Sequence, residues 1–163
     1  MDPLNRLVAI EEIKQLKARY ARVVDTKHWE SLADVFTEDA VMRHPHLGTL
    51  RGPDVIVGAI STSMGEAKYG HHLGMPEIEL LADGRARAVW SVIVHTRRGD
   101  GADEWVDESR SEYHEDYRQA PDGRWRIASM SSVPIARISI PVRSPDTTET
   151  AALRGRTDDG KTP

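Results

Sequence analysis

The chain has 163 residues, no cysteine, and a net charge of −4 from 22 basic and 26 acidic side chains. That length suits one domain able to bury a core without covalent staples. The lack of cysteine excludes a disulfide framework, a thiolate nucleophile and a thiolate metal site. A mildly acidic balance with both signs mixed along the chain argues against a nucleic-acid or anionic-membrane binder. No apolar stretch approaches the length of a membrane span, and Met1-Asp2-Pro3-Leu4-Asn5-Arg6 lacks the apolar run of a signal peptide. A cytoplasmic location is therefore expected.

Leu7, Ile10, Ile13, Leu16, Tyr20 and Val23 or Val24 recur at helical spacing with charges between them, which predicts an amphipathic helix over residues 5–25. Asp25-Thr26 then offers a cap for a second helix carrying Trp29, Leu32, Ala33, Val35 and Phe36. Residues 37–39 end it, 40–43 read as a short strand, and 48–52 as a loop. Pro53 suits the first turn of a third helix running through Val55, Ile56, Ala59 and Ile60 to Met64. From Gly70 the pattern turns to strands. Residues 71–81 precede the hairpin signal Ala82-Asp83-Gly84. Residues 85–98 and 105–119 read as long strands on either side of a loop over 99–103, and Pro121-Asp122-Gly123 leads into a last strand over 124–135. The composition after Pro141 predicts a partly disordered tail over 141–163 behind one domain over 1–140. Helices first and a meander after give an α+β class. Three helices would pack on a strongly curved, mainly antiparallel sheet and enclose one pocket.

Few side chains in this pattern invite chemistry. Asp25 closes the first helix, and its spacing alone permits a simple cap. His71 and His72 point to opposite sides of a strand, so one of them faces the pocket. Gly74-Met75-Pro76 predicts a bulge, because Gly and Pro interrupt ladders. A bulge there places His71, Leu73, Ile78 and Leu80 together on the inner face. His95 shares parity with Ser91 and Ile93, opposite Trp90, Val92 and Val94, and both faces carry apolar residues, so alternation does not assign it. Trp105, Asp107, Ser109, Ser111, Tyr113 and Tyr117 share the face expected to be inner. Ser129 and Ser131 share parity with Trp125 and Ile127 and extend it. Buried hydroxyls need partners, which a ligand or hydrated cavity supplies. His44-Pro45-His46 lacks a carboxylate at fixed spacing and reads as a loop contact rather than a metal site.

The stretch from Ala9 through Tyr20, Asp25, Trp29, Leu32 and Phe36 to Val41 resembles the start of the SnoaL-like family of the nuclear-transport-factor-2-like superfamily. Gly52-Pro53, the segment His71 to Ile78, and Asp122-Gly123-Arg124-Trp125-Arg126-Ile127 extend that resemblance over residues 5–135. It implies a cone-shaped α+β fold around one pocket. The scytalone dehydratase, bile-acid dehydratase and dehydrochlorinase types it is similar to remove water or hydrogen halide without a cofactor or metal, using an Asp–His pair. Asp25 and His71 fall where that pair is expected, with Tyr20 and His95 as hydrogen-bond donors. Trp29, Met42, Trp90, Ser109, Ser111, Tyr113 and Ser129 are the expected substrate-binding wall. Two positions depart from the pattern: Val24 stands where the scytalone type has tyrosine, and Met130 where some members carry a cation that Arg137 would have to replace. The expected function is a cofactor-independent lyase (dehydratase) or isomerase on a small apolar ring compound of polyketide, steroid or terpenoid type. The alternative is a non-catalytic small-molecule-binding or assembly module. The expected partners are a small-molecule substrate and further copies of the chain, as a homodimer or homotrimer.

Overall fold

Asp2 caps the first helix: its carboxylate accepts from the backbone N–H of Leu4 at 2.9 Å and Asn5 at 3.2 Å, and Pro3 occupies the first turn. The resulting helix, α1 (Pro3–Asp25), buries the stripe Ala9, Ile13, Leu16, Lys17, Tyr20, Val23 and Val24. Leu7, expected in that stripe, is 64% exposed instead. The computed structural model describes residues 2–99 and 104–142. Residues 100–103 of the predicted loop and the tail from 143 onward lie outside them.

The helix stops where Lys27 takes a left-handed conformation (φ 58°). The predicted second helix is instead two short 3₁₀ turns, Trp29–Ser31 and Ala33–Val35. Phe36 already belongs to strand β1 (Phe36–His44), and the predicted loop at 48–52 contains β2 (Gly48–Arg51). Next come α2 (Pro53–Met64), β3 (Lys68–Leu73), β4 (Glu77–Leu80), β5 (Arg85–Arg98), β6 (Trp105–Gln119) and β7 (Trp125–Pro141). The sheet order is β2-β1-β7-β6-β5-β3, with β4 also on β5. All pairs are antiparallel except β1 with β7.

Three irregularities set which side chains face α1. Residues 74–76 sit opposite only Trp90 and Ser91, because Leu73 pairs Val92 and Glu77 pairs Val89. This is the bulge expected at Gly74-Met75-Pro76, and it keeps His71, Leu73, Ile78 and Leu80 on one face, opposite Val94, Val92, Ala88 and Ala86. Gly74 is pressed close there: a Cβ would lie 3.2 Å from the Ser91 carbonyl oxygen. On β7, Ala128 and Ile135 are extra residues against β6 and each reverses the alternation. The inner face therefore carries rows of paired residues. One row is His71, Val94, Ser109 and Arg137; another is Trp90, Tyr113 and Ser132; a third is Ala88, Glu115, Met130 and Met42.

The core fills the space between α1, α2 and these rows. Leu32, Val35, Ile56, Tyr117 and Ile127 are essentially inaccessible, and Tyr20 packs edge-on against Phe36, with centroids 6.1 Å apart. Each such aliphatic or aromatic side chain stabilises the fold by about 1.5–3 kcal/mol.

Candidate active site

The last residue of α1 meets the inner face of β3. Asp25 Oδ2 accepts the backbone N–H of His71 at 2.8 Å, and Asp25 Oδ1 lies 2.5 Å from His71 Nδ1. One carboxylate thus fixes both the main chain and the ring of one residue. The imidazole side chain is 7% exposed and the carboxylate 23%. Burial by itself would raise the Asp25 pKa. The hydrogen bonds from the His71 ring and backbone, together with the nearby imidazoles, outweigh it and hold the carboxyl below its ordinary value of 3.8. An ionised carboxylate accepts only, so Nδ1 carries the hydrogen between them and Nε2 is the basic nitrogen. Nε2 has no protein partner among the described residues and is not sealed from solvent.

Tyr20 and Tyr113 stand near the pair. Burial, first, and the negative charges of neighbouring groups including Asp25 raise both phenol pKa values, Tyr20's strongly. Both are neutral hydrogen-bond donors across the biological pH range. Neither hydroxyl has a partner among the described residues, and neither is sealed from solvent.

The other expected site residues divide between the two faces. Ser109 lies in the His71 row and Ser111 in the row below it, both half-buried on the inner face. Trp90 and Met42 are buried there, and Trp29 packs half-buried at the edge of the core. Two expectations are corrected. His95 pairs with Gly70 and Glu108, one residue out of step with His71, so it faces the opposite side of the sheet. There its Nε2 meets Glu108 at 3.1 Å and its ring stacks edge-on with His72 at 5.0 Å. Ser129 and Ser131 are both turned outward by the Ala128 bulge, Ser129 donating to Asp116 at 2.6 Å and Ser131 pairing with His114, while Met130 takes the buried position. Arg137, the considered substitute cation, lies 3.0 Å from the buried Asp107.

One feature of the interior went unrecognised in the sequence. Lys17 and Glu115, with no exposed side-chain surface, form an ion pair at 2.5 Å inside the fold. The signal was present, since Lys17 falls on the apolar stripe of α1 and Glu115 on the inner parity of β6. Glu115 also accepts from the Tyr117 hydroxyl, which receives the Trp90 indole N–H at 2.9 Å. A groove of 440 Å³ runs along α1 beside Arg124 and Trp125, but it does not include Asp25 or His71. Among the described residues there is no cluster of three or more His, Asp or Glu arranged to hold a metal, and no helix long and apolar enough to cross a membrane.

Helices covering one face of a bent mixed sheet define an α+β cone of the nuclear-transport-factor-2-like class. The chain belongs to the SnoaL-like family: the model for the SnoaL-like domain matches residues 5–131. Solved structures share this fold at low identity. A putative scytalone dehydratase from Novosphingobium aromaticivorans is 18% identical, with a TM-score of 0.73 over 85% of this chain and 92% of that one. The hexachlorocyclohexane dehydrochlorinase LinA-type3 from Novosphingobium barchaimii is 18% identical, with a TM-score of 0.74 over 88% and 100%. ActVI-ORFA from Streptomyces coelicolor is 17% identical, with a TM-score of 0.66 over 77% and 96%.

Proposed function

We propose that the protein is a cofactor-independent lyase or isomerase, dehydration first, acting on a small, largely apolar ring compound of polyketide, steroid or terpenoid type. The observation that carries this reading is the double contact of Asp25 with His71, which leaves Nε2 as a directed base. In the proposed reaction Nε2 removes a proton next to a carbonyl. Asp25 stabilises the imidazolium that forms. Tyr20, and Tyr113 in the place first given to His95, donate hydrogen bonds to the oxygen that gains charge. The imidazolium then returns its proton to the departing hydroxyl, which leaves as water, or to another ring carbon, which completes an isomerisation. Ser109 and Ser111 provide polar contacts along the same wall. Similarity to a putative dehydratase and a dehydrochlorinase supports this class of reaction.

A non-catalytic binding module is the second reading. The tight filling of the inner face by Lys17, Glu115, Tyr113 and Trp90 favours it. Incubating the protein with a panel of cyclic β-hydroxy ketones in D₂O separates the two. The enzyme reading expects enone absorbance or deuterium at the α-carbon, reduced by about two orders of magnitude or more in Asp25→Asn and His71→Ala. Equal rates in parent and variants would leave the binding module standing.

A further inference from the structure

Lys17 and Glu115 take no part in the Asp25–His71 contact, yet both side chains are shut off from solvent. Stability alone does not call for an ion pair in that position, because apolar side chains of similar volume usually serve as well or better. Its surroundings point to another role. The Lys17 ammonium lies 4.1 Å from the centroid of the Tyr20 ring and 4.6 Å from that of Tyr113. It also donates to Met130 Sδ at 3.7 Å. Glu115 holds the ammonium with one oxygen while Tyr117 donates to the other, and Trp90 in turn fixes Tyr117. The order of attachment matters. Lys17 precedes Tyr20 by one helical turn on α1, and Glu115 follows Tyr113 by two residues on the same face of β6. Each charge is thus built on the same element as one of the two rings, and joining the charges locks one ring against the other.

We propose that Lys17 and Glu115 are positioning residues, which clamp the rings of Tyr20 and Tyr113 so that both hydroxyls are presented to a ligand held at Asp25–His71. A cation between two aromatic faces restrains both, and the carboxylate keeps the cation from leaving for water. The role at a ligand rests on the reading of Asp25–His71 as the reacting centre; the clamp itself does not.

The test is the variant Lys17→Met/Glu115→Gln, which keeps volume and removes both charges. Protein with ¹³C-labelled tyrosine rings is followed by NMR, with Tyr20→Phe and Tyr113→Phe giving the assignments and a melting curve as the control. The expected result is a parent-like melting temperature with the Tyr20 and Tyr113 resonances shifted and broadened. Turnover of the cyclic β-hydroxy ketones then falls on the order of tenfold to a hundredfold, in kcat rather than KM. A folded double variant whose two tyrosine resonances match the parent overturns the clamp. Should that variant not fold, Lys17→Met/Glu115→Leu carries the same test, since it too removes both charges and leaves neither one buried alone. Asp25→Asn separates the two ideas. Parental turnover in Asp25→Asn removes the reacting centre and leaves the resonances of the charge-free variant to judge the clamp.

Discussion

Lys17→Met, made alone, destabilises the fold far more than the same change made together with Glu115→Leu. Two unit charges 2.5 Å apart attract by about 7 kcal/mol at the effective dielectric of about 20 that suits protein interiors. Desolvation of the two ions, at several kcal/mol each, consumes most of that gain. The intact pair is therefore close to neutral, in keeping with burial as the foremost cause lowering the Lys17 pKa and Glu115 as the opposing one. Removing Lys17 abolishes the attraction but leaves the Glu115 carboxylate in the interior with only Tyr117 to serve it. The single variant is expected to lose about 3–5 kcal/mol, and the double variant, with neither charge, about 2 kcal/mol or less. Urea titration followed through the four tryptophans measures both, and the coupling energy of the cycle is the quantity of interest. Additive losses, with a single-variant loss below about 1 kcal/mol, would mean that water reaches the pair, and the low-dielectric reasoning would fail.

Asp25→Ala removes the acceptor of the His71 backbone N–H, whereas Asp25→Asn keeps a carbonyl oxygen for it. The first is expected to lose about 1–3 kcal/mol and the second distinctly less, by urea titration. Folded Asp25 binds its proton more weakly than the unfolded chain does, so its contribution to stability is present above the ordinary carboxylate value of 3.8 and is lost as pH falls through the folded value. In His71→Ala the ring hydrogen bond and the ring's charge are lost while burial, the backbone N–H of residue 71 and His72 remain, so the Asp25 carboxyl should titrate higher than in the parent, read by ¹³C NMR of the carboxyl carbon. His95→Ala should turn over substrate at the parental rate, because the ring lies across the sheet from His71; a loss comparable to that of His71→Ala would contradict this placement.

The sequence was most legible where an irregularity has a visible cause. Gly74 and Pro76 announce the bulge, and from it the inward turn of His71 follows correctly. The bulge at Ala128 has no glycine or proline to mark it, so strict alternation carried Ser129 to the wrong face. For β5, apolar residues on both sides leave the parity of His95 undetermined until pairing with β3 decides it. The segment after Asp25 has the apolar spacing of a helix. Lys27 at φ 58° breaks the chain there, and the parallel pairing of Phe36 with Ile127 draws the end of the segment into the sheet. That pairing joins residues far apart in the chain, and no local pattern records it.

Asp25 posed two readings, a helix cap or half of a reactive pair, and its geometry gives it a structural and a chemical task at once. It caps no following helix, since the turn after α1 is closed by the Thr26 hydroxyl on the Arg22 carbonyl at 2.7 Å. Instead one oxygen binds the main chain of β3 and the other the ring that the same residue carries. The backbone bond fixes the end of α1 against β3, and through it the distance from the carboxylate to the imidazole becomes a property of the fold rather than of a rotamer. A base held in this way needs little reorganisation before it acts, which is what preorganised sites require. The same bond explains why Asp25 remains ionised although partly buried: two donors from one residue outweigh its desolvation. The helix end, the strand register and the acid–base pair therefore depend on one another, and a substitution that slips β3 by a single residue would remove His71 from Asp25 and bring the neighbouring Gly70 or His72 to the inner face.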